Sequence, residues 1–223
     1  MDNFKLAIMS RREDFPEVFR LGSIYMKSQA CYGNLDKATL YNIDTYDHLD
    51  GSDYWIQSYE EGTIGPIAIS QNDFVFHPEK DTRKITCLFK IEDINSIDPR
   101  ITSFGEWCTV ITDLKQFEKR LSVSLKELFN NGVISHYRFD PVEYIPLSFS
   151  GYVGPFRKQD TIAWQNEYRI FLNLYESNKA EYFLTLPDLH DITIQGRTRE
   201  LFNMKETIDG MVQFYPDGKK EPR

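Results

Sequence analysis

The chain has 223 residues, 41% of them hydrophobic and 14% aromatic, which is enough apolar side chain to fill one full-sized domain. Its 34 acidic residues outnumber 26 basic ones, and the formal charge of −8 repels a phosphate backbone, so non-specific DNA binding is not expected without a local basic patch. No apolar run reaches the roughly 18 residues of a membrane span, "MDNFKLAIMSRRED" has no apolar h-region, and Cys31, Cys87 and Cys108 form no C-x-x-C pair; these features predict a soluble cytoplasmic protein with ordinary thiols and no structural zinc.

In chain order, the first third is the least periodic. An early "FRLGSIYMKSQ" is followed, between Leu35 and Gly65, by acidic and aromatic residues without a clear period, read as an irregular insertion. "ITCLFKI", ending at Ile91, is apolar on both faces and predicts a central strand, and "WCTVIT" predicts another. The clearest helix follows: Asp113 caps it, Phe117, Leu121, Leu125, Leu128 and Phe129 form one apolar stripe, and Asn131-Gly132 stops it. Then come "VISHYRF", "EYRIFLNLY", "AEYFLTL", "DITIQG" and "MVQFY", all strand-like and separated by Pro, Gly, Asn and Asp. The pattern predicts a single α+β domain with a mixed, bent sheet, drawn mostly from the second half, and a few packed helices.

One stretch is chemically dense. "TIAWQNEYRI", Thr161 to Ile170, gathers an indole, an amide, a carboxylate, a phenol and a guanidinium at the mouth of a predicted strand. Strand parity sends Trp164 and Tyr168 to one face, and Gln165, Glu167 and Arg169 to the other. A plain structural reading pairs Glu167 with Lys158 or Arg169 on the surface and leaves Arg20 to solvate a helix end.

The order "FRLGSIYMKSQ", "ITCLF", "FGEWCTVITDLKQFEKRL", "VISHYRF", "PFRKQDTIAWQNEYRI", "LPDLHDITI" resembles an uncharacterised family of bacterial and phage proteins with an early F-R-x-G element and a late [QE]-x-E-Y-R signature. Gln165-Asn166-Glu167 is also distantly similar to the catalytic signature of ADP-ribosyltransferases. That resemblance implies NAD as cofactor, Glu167 and Gln165 as catalytic residues, and Arg20, Gly22, Ser23, Tyr25 and Lys158 around the dinucleotide. A carboxylate suits such a site because cleaving the glycosidic bond develops positive charge on the ribose, and arginine suits pyrophosphate because its planar fork donates paired hydrogen bonds. The serine element of such transferases has its nearest counterparts in Ser148 and Ser150, with Thr86 on the central strand. The resemblance implies a toxin or antiviral effector acting on a protein or nucleic-acid acceptor.

Two other readings stand beside it. A ribonuclease-type toxin would use His136 and Arg138, which one strand places on the same face, with Lys158. A non-catalytic inhibitor or partner-binding protein of phage or bacterial origin would use the acidic surface. The histidines His48, His77, His136 and His190 are scattered without metal-ligand spacing, and no GxxxxGK[ST], GxGxxG or GxSxG element is present.

Overall fold

The strand "RKITCLFKI" explains the architecture, because a segment apolar on both faces is stable only where both faces are covered. In the computed structural model, which describes residues 4–29, 54–56, 82–146, 148–149, 151–177, 179–202, 204–206 and 212–214, this segment is the centre of an eight-stranded sheet. The elements in chain order are β1 (Lys5–Ser10), α1 (Phe15–Arg20), β2 (Ser23–Ser28), β3 (Tyr54–Ile56), β4 (Arg83–Ile91), β5 (Trp107–Ile111), α2 (Leu114–Asn130), β6 (Ile134–Pro141), β7 (Glu143–Ile145), β8 (Gly151–Val153), β9 (Arg157–Gln159), β10 (Glu167–Leu174), β11 (Glu181–Thr185), β12 (Thr193–Arg197), α3 (Thr198–Leu201), β13 (Met204–Glu206) and β14 (Val212–Phe214). The chain is an α+β protein.

The sheet is forked. Along one edge β4 pairs with β10, and β10 with β6. Along its other edge β4 pairs with β1 near Phe89 and with β2 near Ile85, so one arm continues to β5 and β12 and the other to β11. All of these pairings are antiparallel, and the parallel pairing among the described residues is the short one between β7 and β9. The sheet therefore draws on both halves of the chain, since β1, β2 and β4 all precede the predicted helix. The early strands escape notice because each has only six residues and the "SRREDFPEVFR" turn and helix separate them.

The capped helix forms as its sequence dictates. The Asp113 carboxylate accepts the Gln116 N–H at 3.0 Å, and Gly132, at φ 68°, takes the left-handed conformation that ends it. Phe117, Leu121 and Leu125 are buried against Leu6, Ile8, Ile111, Tyr168, Ile170 and Leu172, and Phe19 of α1 stacks on Phe117 at 6.5 Å between ring centroids. Each such side chain contributes about 1.5–3 kcal/mol by leaving water. Phe129, expected in the same stripe, is 49% exposed and only meets Tyr137 edge-on, because the last turn overhangs the edge strand β6.

The opposite face carries two smaller covers. Ala7, Phe89, Cys108 and Val110 lie under Ile97, Ile101 and Phe202, and burial pushes the Cys108 thiol up to about 12, which leaves it protonated and unreactive. Further along, Phe156 packs on Ile85 and Phe171, so the β7–β9 excursion roofs part of β10. Of the expected irregular insertion, only Tyr54–Ile56 lies within the described residues, as a strand paired with β8; the rest lies outside them.

Candidate functional site

"TIAWQNEYRI" is a strand only in its second half. Asp160–Gln165 is a 3₁₀ turn, and Asn166, at φ 39°, adopts the left-handed conformation that asparagine tolerates better than most residues. The Asn166 side-chain amide donates to the Lys90 carbonyl at 2.7 Å, which fixes where β10 begins. Trp164 consequently does not share a face with Tyr168. Its ring stacks on Phe104 at 5.7 Å, with the Arg100 guanidinium 4.5 Å from its centroid, whereas Tyr168 joins the helix-side core as expected.

Lys158, Gln165, Glu167 and Arg169 do come together, under the roof rather than on the surface. Their relative exposures are 3%, 2%, 8% and 1%. Lys158 Nζ donates to Glu167 Oε1 at 2.9 Å and to Gln165 Oε1 at 2.7 Å, while Arg169 Nε donates to Glu167 Oε2 at 2.8 Å. Arg169 Nη1 also donates to the Pro155 carbonyl at 2.6 Å, and the Glu167 N–H donates to the Tyr144 hydroxyl at 2.9 Å. Burial by itself would raise the Glu167 pKa, but the charges of Arg169 and Lys158 outweigh it and hold the group ionised well below the usual carboxylate range. Burial, and then the Glu167 charge, push the Tyr144 phenol in the opposite direction, upward. Both carboxylate oxygens face cations, so this arrangement ties β10 to β9 and to the Pro155 turn.

The early residues are elsewhere. Arg20 is the last residue of α1 and not part of the first strand, and its Nη1 lies 3.4 Å from Glu17 on the same helix. Glu17 in turn meets His190 Nε2 at 2.9 Å, and the Leu189 N–H donates to the Arg20 carbonyl at 2.7 Å. These partners belong to the layer of α1 and α2, where Phe19 shares a core with Tyr168; Glu167 projects from the other side of β10. Gly22, at φ 89°, admits a close backbone approach, but the neighbour is the Leu186 carbonyl, which would lie 2.2 Å from a Cβ there. Ser23 pairs with Thr185 at the end of β11, and the Tyr25 hydroxyl donates to Glu181 at 2.9 Å. The expected grouping of Arg20, Gly22, Ser23 and Tyr25 with Glu167 is thus not formed: its Lys158–Gln165–Glu167 half assembles without them. Of the serine counterparts, Ser148 is exposed and Ser150 lies outside the described residues, while Thr86 is buried on the helix side, paired with Ile170.

A cleft of about 500 Å³ opens on the roofed face, beside the network rather than around it. Arg83, Asn173 and His136 form one row across three paired strands, Asn173 standing opposite both of the others. Just beyond this row a register shift at Asn173–Leu174 marks a bulge. Ile134 and His136 would share a face in a regular strand, but the bulge lets Ile134 enter the core while His136 turns to the cleft. Arg138 and Phe171 form the next row, with the Arg138 guanidinium 4.3 Å from the Phe156 ring centroid. Arg157 and Tyr152 line the opposite wall.

The cleft is cationic in an acidic protein. Arg138 pairs with Asp140 at 2.8 Å and Arg157 with Glu143 at 2.7 Å, and both pairs are solvent-exposed. Exposed pairs of this kind are worth about 0–1 kcal/mol, so an anionic ligand can compete for either guanidinium. Of these residues the sequence reading named His136 and Arg138. It missed Arg83 and Asn173, whose only sequence signal is alternation along "RKITCLFKI" and "EYRIFLNL", and Tyr152 and Arg157, which lie on the short strands β8 and β9; which strands stand side by side is not written in that spacing.

The chain matches no protein-family model, and no curated protein or solved structure matches it. Among the described residues, no helix is long and apolar enough to cross a membrane, and no group of three or more His, Cys, Asp or Glu side chains is placed to hold a metal ion.

Proposed function

We propose that the cleft binds phosphate and that the protein is a ribonuclease-type enzyme, with His136 as its proton-transfer group. The row Arg83–Asn173–His136, opening into a cleft shared with Arg138 and Arg157, carries this reading. Guanidinium groups donate the paired hydrogen bonds that phosphate oxygens accept, and an imidazole beside a bound phosphodiester exchanges a proton near neutral pH.

In the proposed reaction His136 accepts the proton of a 2′-hydroxyl, and the 2′-oxygen forms a bond to the adjacent phosphorus. The bond between phosphorus and the 5′-oxygen breaks, that oxygen takes a proton from water in the open cleft, and the hydroxide so formed takes the proton held by His136, which restores the free imidazole. The products are a 2′,3′-cyclic phosphate and a 5′-hydroxyl end. Arg138 and Arg83 stabilise the negative charge that builds on the non-bridging oxygens. Lys158, included in the sequence expectation, belongs here to the buried network that holds the cleft wall. A cytoplasmic setting, as expected from composition, suits an RNA substrate.

NAD processing draws less support from this geometry, because both oxygens of Glu167 face Lys158 and Arg169, and Arg20 stands among the helices. The two chemistries separate in one experiment, in which the protein is incubated with end-labelled single-stranded RNA and, separately, with NAD. Expected are RNA fragments ending in cyclic phosphate, reduced by about 10²–10⁴-fold in His136→Ala. Release of nicotinamide with intact RNA would restore the transferase reading, and inertness toward both would favour the non-catalytic partner-binding one.

A further inference from the structure

Asn173 on β10 and His136 on β6 stand opposite each other in register, and both line the cleft. Side chains placed this way are about 4.5–5.5 Å apart at their Cβ atoms. The Ser135 hydroxyl donates to the Asn173 carbonyl at 3.1 Å, and the His136 ring centroid lies 6.1 Å from that of Phe171, so the backbone of one and the ring of the other have fixed neighbours. Among the described residues, no hydrogen bond engages the Asn173 amide or the His136 ring nitrogens, whereas Arg138 and Arg157 in the same cleft pair with carboxylates. The amide and the imidazole are therefore both available to one ligand atom lying between them.

We infer that this atom is the 2′-oxygen of a ribose, so that Asn173 is the residue by which the cleft distinguishes RNA from DNA. The inference rests on the phosphate reading of the cleft and on His136 as its proton acceptor. As the 2′-hydroxyl gives its proton to His136, negative charge grows on the oxygen and the Asn173 Nδ2–H donates to it; no proton leaves Asn173. An amide suits this position better than a charged group. A cation directly opposite His136 would oppose protonation of the imidazole, and a carboxylate would repel the phosphate held by Arg83 and Arg138. Asn173 is half-buried, so a 2′-deoxy sugar would cover its amide without offering the hydroxyl, and sites built around a hydroxyl reject analogues lacking one for this reason. The 2′-hydroxyl is also the group that marks RNA at any such contact.

The binding test needs no cleavage. A ribonucleoside 3′-phosphate, its 2′-deoxy counterpart and inorganic phosphate are titrated calorimetrically into wild type, Asn173→Ala and Arg138→Ala. Wild type should prefer the ribonucleotide by about 2–10-fold, the worth of one hydrogen bond. Asn173→Ala should bring the ribonucleotide down to the affinity of the deoxy compound and leave inorganic phosphate unchanged, while Arg138→Ala should weaken all three. On an RNA dinucleotide, Asn173→Ala should lower kcat by about 10²–10³-fold, as loss of one donor to a developing oxyanion does, with little change in KM. Equal affinity of wild type for the two nucleotides overturns the inference without recourse to any variant. So does a preference or an undiminished kcat that survives in Asn173→Ala. Loss of inorganic phosphate binding in an Asn173→Ala protein with wild-type circular dichroism makes Asn173 a phosphate ligand instead, which also overturns it. These outcomes leave the phosphate cleft standing. If none of the three ligands binds wild type, or Arg138→Ala changes nothing, the phosphate reading itself fails, and the ribose contact fails with it.

Discussion

Arg169 Nε donates to Glu167 Oε2 at 2.8 Å, although the two residues stand only two positions apart on β10 and are both buried. The Lys158 ammonium on the other carboxylate oxygen completes the clamp. Such a clamp has a definite energetic signature. Removing one member of a buried ion pair leaves the others charged and unpaired, at a cost of about 3–5 kcal/mol. Glu167→Ala should therefore lower the urea midpoint strongly, and Glu167→Gln somewhat less because its amide oxygen still accepts a hydrogen bond. A catalytic carboxylate would behave differently, losing turnover at unchanged stability.

The same carboxylate predicts a response to acid. Its pKa in the folded protein is depressed from 4.5 to about 2, so its contribution is fully present above the unfolded value and is lost as pH falls from 4.5 toward 2. Thermal melts of wild type should drop through this window. Glu167→Gln should melt lower at pH 7 and show a flatter decline below pH 4.5. Parallel curves for the two proteins would remove the clamp from the account of acid stability.

Leu125 tests the helix side. It is fully buried between α2 and the sheet, with Leu121 one turn away. Leu125→Ala should cost about 2–5 kcal/mol, the lost transfer energy plus the cavity left behind, whereas Val123→Ala, at an exposed position on the same helix, should stay within about 0.5 kcal/mol. Chemical denaturation of both variants measures the difference.

Gly22 separates a structural glycine from one that makes room for a cofactor. A Cβ at this position would lie 2.2 Å from the Leu186 carbonyl, and φ is 89°. Gly22→Ala should destabilise by about 1–3 kcal/mol through backbone strain alone and loosen the join of β2 to β11. Amide exchange at Leu186, whose N–H donates to the Gly22 carbonyl at 2.7 Å, should accelerate. If instead stability is retained while NAD binding is lost, the glycine belongs to a dinucleotide site.

Local chemistry made much of this protein readable from sequence. The helix after Asp113 could be placed because its cap, its 3.6-residue stripe and its Gly132 stop all act within a few residues of one another. Strands β4, β5, β6, β10, β11 and β12 were readable for the same reason, and so was the common face of His136 and Arg138, which needs only alternation along one strand. Tertiary structure alone decided the rest. The pairing of β10 with β4 on one side and with β6 on the other put Arg83 and His136 in one row, and a one-residue bulge beyond it let Ile134 into the core. The left-handed Asn166 took Trp164 out of the strand, and the fold set Glu167, expected as a catalytic carboxylate, between Lys158 and Arg169. Register, bulges and burial arise from pairings between segments far apart in the chain, so residue types and spacings do not carry them.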